Sequence, residues 1–404
     1  MGLLFWLSAA FVTYVYAGYP LLLYVWARVR QPGLRRRGGW PIAPTNPPSA
    51  IRHPQSGVSI IIAARNEGAR LTARLDNLLQ LEFPAHRRQI IVVSDGSTDD
   101  TAAVLARYTP FVEAVHLPPG GKAHALNAGV ARTRFDILVF ADARQAFAAD
   151  ALQQLVAPFA DPSVGAVSGE LLLDAESELF ENRRSGRDRR SSAAPPEREA
   201  RERRGADRRR PARSTVSEGV GMYWRYEKRL RRLETAVGSM VGATGAIYAV
   251  RRELWQPLPP NTILDDVLAP MRVVLAGYRI VFNERAQAFD RVPLDAEAEA
   301  RRKVRTLAGN FQILALEPQL LLPWRNPLWL QYVSHKLGRL AVPYALLTLF
   351  ASSIVLSDTH LFYRAVLIAQ VAFYLLAGYG AALDLEAHRV EPAAAERRAM
   401  PEVA

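Results

Sequence analysis

The 404-residue sequence has no cysteine, which excludes disulfide frameworks, thiolate metal sites and cysteine nucleophiles. Carboxylates, hydroxyls, seven histidines and backbone groups are left to carry any chemistry. Charge is missing altogether from residues 2–26, and no Lys or Arg precedes that run. A cleaved signal peptide starts basic and has a shorter apolar core, so the run reads as a membrane helix, about 37 Å long against a hydrocarbon core of about 30 Å. The Gly-x4-Gly-Lys-Ser/Thr spacing is absent, which excludes a P-loop. Large apolar side chains are absent from residues 181–213, where thirteen arginines face six carboxylates for a net charge of +7. That stretch cannot build a core and is expected to be a disordered, Arg-rich insertion, either a tolerated loop or a contact for anionic lipid headgroups or an anionic partner. It holds more than half of the chain's charge of +12, so the basic balance is no argument for nucleic acid. No basic surface interleaved with aromatics supports a nucleic-acid partner either.

Two further apolar runs occupy residues 340–356 and 361–383 and read as a helical hairpin. Arg28, Arg30, Arg35, Arg36 and Arg37 follow the first run, Lys336 and Arg339 precede the hairpin, and Arg389, Arg397 and Arg398 follow it. The positive-inside rule puts all these flanks on the cytosolic side of a multi-pass inner-membrane protein. Between the body and the hairpin, residues 320–330 mix tryptophan, aliphatics and two prolines, a composition suited to the headgroup level. The expected organisation is a transmembrane helix at 1–27, a cytosolic linker at 28–56 and a catalytic domain at 57–316 interrupted by 181–213. An interfacial segment at 317–339, a transmembrane hairpin at 340–384 and a cytosolic tail at 385–404 follow.

Within the body, residues 58–63 (VSIIIA), 89–93 (QIIVV) and 136–140 (DILVF) are short β-branched runs of the kind buried on both faces of a sheet. Helical periodicity over 67–81 and 99–108 alternates with them. The order predicts an α/β nucleotide-binding fold with its site at the C-terminal edge of the strands.

Candidate chemistry falls at those edges. Asp95 ends the strand QIIVV before a glycine turn, where a carboxylate can accept from a base N–H or a ribose hydroxyl; an ordinary turn and N-cap explains Ser97, Thr98 and Asp99. Lys122 follows two glycines at a helix start, an arrangement that meets a diphosphate. Asp142 is a second strand-end carboxylate. Asp265 and Asp266 open a helix that needs only one of them as a cap, which leaves a candidate general base. The basic start at 301–305 suits either a departing diphosphate or a solvated, membrane-facing helix.

In order, VSIIIAARNE, VVSDGSTDDT, GGKAHALN, FADA, VGATGAIYAVRR and ILDD, with one membrane helix before them and a hairpin after, resemble the membrane-integrated family 2 glycosyltransferases. That group includes cellulose, hyaluronan and poly-N-acetylglucosamine synthases. The resemblance implies a GT-A fold with a Rossmann-like mixed sheet. It also implies inverting transfer from a nucleotide-sugar donor, usually UDP-linked, to a lipid-linked or glycan acceptor. Carried over by motif, Ala64, Arg65, Asn66 and Glu67 line the nucleoside pocket, Asp95 reads uracil and ribose, and Lys122 and Asn127 bind donor. Asp142 is the first Asp of Asp-x-Asp and the remaining metal ligand. Asp266 is the catalytic base with Asp265 beside it, and Gly242, Ala243, Thr244, Gly245 and Ala246 face the acceptor. Arg305 stands for the arginine of Gln-x-x-Arg-Trp.

Two departures qualify this. Arg144 occupies the second position of Asp-x-Asp, so an Mg²⁺ or Mn²⁺ site rests on Asp142 with substrate oxygens and water, or else the Arg144 guanidinium itself neutralises the diphosphate. The Gln-x-x-Arg-Trp motif reads Arg302-x-x-Arg305-Thr306, so processive synthesis does not follow. Three membrane helices offer little material for a polysaccharide channel unless a membrane or secretion subunit joins them. A membrane-anchored sugar-nucleotide-binding protein without turnover is the alternative.

Overall fold

The computed structural model describes residues 1–30, 57–174, 215–291 and 296–399. The Arg-rich stretch 181–213, most of the linker 28–56 and the last residues of the tail lie outside the described residues. The chain divides into two compact units, one of residues 38–292 and one of residues 1–37 with 293–404.

In the first unit the β-branched runs form strands β1 (Val58–Ala64), β2 (Arg88–Asp95), β3 (Glu113–Leu117) and β4 (Ile137–Ala141). Strands β5 (Ala146–Phe147), β6 (Val164–Asp174), β7 (Ile247–Arg251) and β8 (Arg279–Arg291) complete one sheet in the order β3-β2-β1-β4-β7-β6-β8-β5. Strands β3, β2, β1 and β4 pair in parallel, whereas β7 runs antiparallel to both β4 and β6, which makes the sheet mixed. Alternate residues of the parallel strands separate into two layers. Ile60, Ile62, Val92 and Val139 pack with Leu71, Leu75 and Leu78 of the helix Gly68–Leu79, while Ile91 and Val93 face Ala125. Complete burial of such a side chain contributes about 1.5–3 kcal/mol, which is why the register holds. The helix Lys122–Val130 lies close to its face because Gly129 has no side chain: a Cβ there would stand 2.6 Å from Ile61 Cγ2 and 3.2 Å from Val93 Cγ2.

The first two helices are shorter than the periodicity over 67–81 and 99–108 predicts, running Gly68–Leu79 and Thr101–Arg107. Asp99 explains both starts. Its carboxylate accepts from Thr101 N and Oγ1, at 3.0 and 2.5 Å, and from Gly68 N at 3.0 Å, so one side chain ties the two helix beginnings together.

Among the described residues of the second unit, three helices are long and apolar enough to cross a membrane, Gly2–Val29, Trp329–Leu356 and Leu361–Gly380. Helical turns thus run from Trp329, within the stretch read from sequence as interfacial. The polar residues Gln331, Ser334 and His335 in those turns are buried in the unit, and Ser334 Oγ meets Tyr14 OH at 2.8 Å. Internal bonding of this kind is what a polar group at membrane depth requires. Trp6 stacks on Phe362 with ring centroids 5.6 Å apart, and Gln370 donates to Ser353 Oγ at 2.8 Å. The helix Ala296–Leu316, which carries Arg305, also belongs to this unit.

Candidate active site

Every parallel strand of the first unit delivers its C-terminal end to one edge of the sheet, and that edge gathers the acidic residues. Asp95 ends β2, Asp142 follows β4 directly, and Asp265 and Asp266 open the helix Asp265–Leu275. Lys122 begins its own helix and joins two of these elements. Its Nζ lies 3.2 Å from Asp142 Oδ1 and 3.1 Å from Asp265 Oδ1. Burial works against the ammonium, but Asp265, Asp142 and Asp266 outweigh it and hold Lys122 protonated above the ordinary lysine range.

Below Asp265 the network continues to a residue that the sequence reading passed over. Tyr248 of β7 is fully buried and donates its hydroxyl to Asp265 Oδ2 at 3.2 Å. Burial first, and then the charges of Asp265 and Asp266, push its phenol far above the usual range, so it remains a donor. Its ring stacks on Phe140 at 4.8 Å, and Phe140 stacks on Trp255 at 4.7 Å. A tyrosine inside the apolar run 247–250 was the available signal.

Asp265 and Asp266 differ in access. Asp265 is buried and committed to Lys122 and Tyr248, whereas Asp266 is half-buried. Gly245 N donates to Asp266 Oδ2 at 3.0 Å, and Ala243 N donates to the Asp266 carbonyl at 2.7 Å. The loop 242–246 therefore aims the Asp266 carboxylate. An alanine at Gly245 would force the Asp266 carboxylate to shift, because a Cβ would stand 2.9 Å from Asp266 Oδ2. Thr244 steadies the loop from behind, its N–H donating to Ser168 Oγ at 3.0 Å and its hydroxyl accepting from Arg231. Gly242 turns the chain with φ +74°, and Ala246 leads into β7, buried.

The remaining candidates divide by what their side chains touch. Asp95 is 3% exposed, and its carboxylate accepts from Gly120 N at 2.6 Å and Gly121 N at 2.9 Å; in this structure it holds the glycine turn before Lys122. Asn127 is likewise engaged, donating to the Leu258 carbonyl and accepting from Leu258 N, both at 2.9 Å. Ala64 is the buried end of β1. Arg65 and Asn66 are exposed and Glu67 is half-buried; Asn66, at φ 55°, accepts from Thr98 N at 2.8 Å, which sets the turn against the Ser97–Thr98 loop. Arg144 Nε pairs with Asp290 Oδ2 at 3.0 Å, and Gln145 donates to the same oxygen at 2.9 Å. Arg305 is exposed on a helix of the other unit. Arg74 is a further charge near Asp142 that was not read from sequence. Burial pushes its guanidinium down to about 9, against the pull of Asp142, and it lies 4.1 Å over the Phe147 ring. Its position on the Leu71, Leu75 and Leu78 face was the clue.

The mixed sheet, with strand-end carboxylates gathered at one edge and a lysine at a glycine-turned helix start, defines a GT-A type nucleotide-sugar fold. Comparison with known proteins agrees. Residues 59–228 match the family described as Glycosyl transferase family 2, and residues 215–383 match Glycosyl transferase family group 2. The chain belongs to glycosyltransferase family 2. Over 148 residues it is 32% identical to beta-monoglucosyldiacylglycerol synthase of Synechocystis sp., covering 35% of this chain and 30% of that protein. Over 268 residues it is 22% identical to poly-beta-1,6-N-acetyl-D-glucosamine synthase of Staphylococcus aureus, covering 64% of this chain and 55% of the relative. The chain thus spans about half or less of the length of these curated relatives. Among solved structures, the mannosyltransferase PcManGT from Pyrobaculum calidifontis, in complex with GDP-Man and Mn²⁺, superposes with a TM-score of 0.62 at 22% identity over 92% of both chains.

That structural relative holds Mn²⁺, and the residues here can be tested against such an ion. A divalent cation wants several oxygen donors converging at short distance. Asp142 Oδ1 instead faces the Lys122 ammonium, the second Asp is Arg144, and Asp290 is taken by Arg144 and Gln145. Among the described residues no group of three or more His, Asp or Glu is arranged to hold an ion. Any ion at Asp142 would have to displace the Lys122 ammonium from that carboxylate. The residues do not fit a resident divalent metal.

Proposed function

We propose that this chain is a membrane-held inverting glycosyltransferase that moves a hexose or N-acetylhexosamine from a nucleotide donor, UDP-linked by family resemblance, to an acceptor hydroxyl in cell-envelope glycan synthesis. The observation that carries the reading is Asp266, a half-buried carboxylate aimed by Gly245 N–H beside the Asp265–Lys122–Asp142 bridge. In the reaction Asp266 takes the proton of the acceptor hydroxyl while its oxygen forms the new bond to the anomeric carbon. The bond from that carbon to the diphosphate breaks, and its electron pair leaves on the diphosphate next to Lys122. Attack opposite the leaving group inverts the configuration.

The acceptor is a lipid-linked or membrane-surface hydroxyl. One relative is named for a glycolipid, and three apolar helices among the described residues suit a membrane-surface acceptor. The other relative, named for a polysaccharide, keeps glycan extension with a partner subunit as the variant outcome. Arg28, at the C-terminal end of the first span, supports a cytosolic catalytic unit, whereas Lys336 and Arg339 fall inside the span Trp329–Leu356 and carry no orientation argument. A second reading, a binding protein without turnover, is favoured by Arg144 in place of the second Asp and paired with Asp290. The test is nucleotide release by the full chain in detergent, with membrane lipid extract and a panel of UDP-, GDP- and dTDP-sugars. Release with one donor and its appearance in the lipid fraction support the transferase, whereas tight donor binding with no release, extract and partner subunit present, supports the binding protein.

A further inference from the structure

The carboxylate expected to hold a metal, Asp142, is already joined to Asp265 by a cation that the chain itself supplies. We propose that the Lys122 ammonium is the built-in counter-ion for the donor diphosphate, so that donor binding at this site needs no divalent metal. The inference rests on the glycosyltransferase reading and assigns the charge neutralisation within it.

Lys122 is fixed from three directions. Its two acidic partners come from different elements, Asp142 after β4 at 3.2 Å and Asp265 at the helix start at 3.1 Å. Asp265 is in turn held by Tyr248 OH at 3.2 Å, so the lysine's deeper partner is rigid. The backbone just before Lys122 is anchored by Asp95, which accepts from both Gly120 N and Gly121 N. An ammonium has three donors; two are spent on Asp142 and Asp265, and the side chain keeps 32% of its surface exposed. The third donor is therefore available to an incoming phosphate oxygen. Asp142, 36% exposed, lies at the same opening, so the ammonium is reachable rather than sealed in the core.

The residues around it reinforce the assignment. Arg144 replaces the carboxylate that would complete a metal site and is itself tied to Asp290 at 3.0 Å. Arg74 is a second positive charge that interacts with Asp142, but it is buried and does not face the opening. A divalent ion at Asp142 would have to displace Lys122, whereas a diphosphate arriving there meets the partly exposed ammonium already in place. The chemistry recognised is that of a nucleoside diphosphate, and the loss of one charge-assisted hydrogen bond to it corresponds to about a tenfold loss of affinity or more.

The experiment uses the full chain in detergent and has two arms. Mn²⁺ alone is titrated against the wild type, Arg144→Asp and Lys122→Ala while the electron paramagnetic resonance signal of free Mn²⁺ is followed. UDP and GDP binding is measured by calorimetry in EDTA and in Mn²⁺. The wild type is expected to show no stoichiometric Mn²⁺ site and the same diphosphate affinity, within about twofold, in both buffers. Arg144→Asp, which restores the second carboxylate, is expected to acquire an Mn²⁺ site. Lys122→Ala is expected to lose about tenfold or more in diphosphate affinity in EDTA. If that variant fails to fold, the wild-type titration and Arg144→Asp still decide. A stoichiometric Mn²⁺ site in the wild type, or diphosphate binding that collapses in EDTA and returns with Mn²⁺, overturns the inference while leaving the glycosyltransferase reading intact. No diphosphate binding in either buffer overturns that reading and the inference with it.

Discussion

Replacing Gly245 by alanine tests whether the loop 242–246 aims the proposed base. The backbone at 245 is not left-handed, so alanine introduces no conformational strain of its own. What it introduces is a methyl group 2.9 Å from Asp266 Oδ2, 3.4 Å from its Cγ and 3.5 Å from its Cβ. Ordinary contact begins near 3.4 Å, so the carboxyl group has to retreat by about 0.5 Å, and the hydrogen bond from Gly245 N lengthens with it. A misplacement of about 1 Å costs roughly a hundredfold in rate, so half of that corresponds to about tenfold in kcat. Donor affinity should stay within about twofold, because neither Lys122 nor Asp142 touches the new methyl. The assay is steady-state nucleotide release together with donor binding and thermal unfolding. Unchanged kcat in Gly245→Ala would refute the claim that this contact sets the base. Equal losses of binding, stability and turnover would make the loop an element of the fold instead.

Other outcomes follow from the same geometry. Tyr248→Phe removes a buried donor from Asp265 and is expected to lower stability by about 1.5–3 kcal/mol, read by denaturant unfolding; a change under about 0.5 kcal/mol would mean that Asp265 does not depend on the phenol. Asn127→Ala breaks two hydrogen bonds to Leu258 and should destabilise by about 1–3 kcal/mol with diphosphate affinity unchanged; a selective loss of affinity would return Asn127 to the donor site. Arg74→Met should be no less stable than the wild type at pH 7, since the Arg74 guanidinium is lowered to about 9 by burial. The unfolded chain binds more protons than the folded one between pH 9 and the ordinary arginine value, so wild-type stability gains on the variant as pH rises through that window. A gap that widens in the variant's favour above pH 9 would contradict the assignment.

Much of the architecture was legible because it is local. Runs such as VSIIIA and ILVFA can be buried on both faces only within a covered sheet, and the glycine turn before Lys122 and the paired aspartates at 265 and 266 announce helix starts. The positions of Asp95, Asp142 and Asp265 at one sheet edge follow from parallel strand order. What the side chains do there depends on partners far away in sequence, which no local pattern encodes. Asp95, read from sequence as a ligand-reading carboxylate, also accepts from Gly120 and Gly121, and Asn127, read as a donor contact, also bonds Leu258. Arg144 also pairs through Nε with Asp290 of the last strand. Tyr248 and Arg74 were missed for the opposite reason: each is a polar residue inside an apolar pattern, and only burial beside Asp265 or Asp142 gives it meaning.

The central claim is that Asp266 performs chemistry and does not merely hold the fold. The most direct measurement is donor affinity and turnover side by side in the wild type and Asp266→Asn, each with the donor that the wild type accepts. The account predicts affinity within about threefold and turnover lower by about 10²–10⁴, the range a positioned general base supplies. Turnover that survives in Asp266→Asn would contradict it.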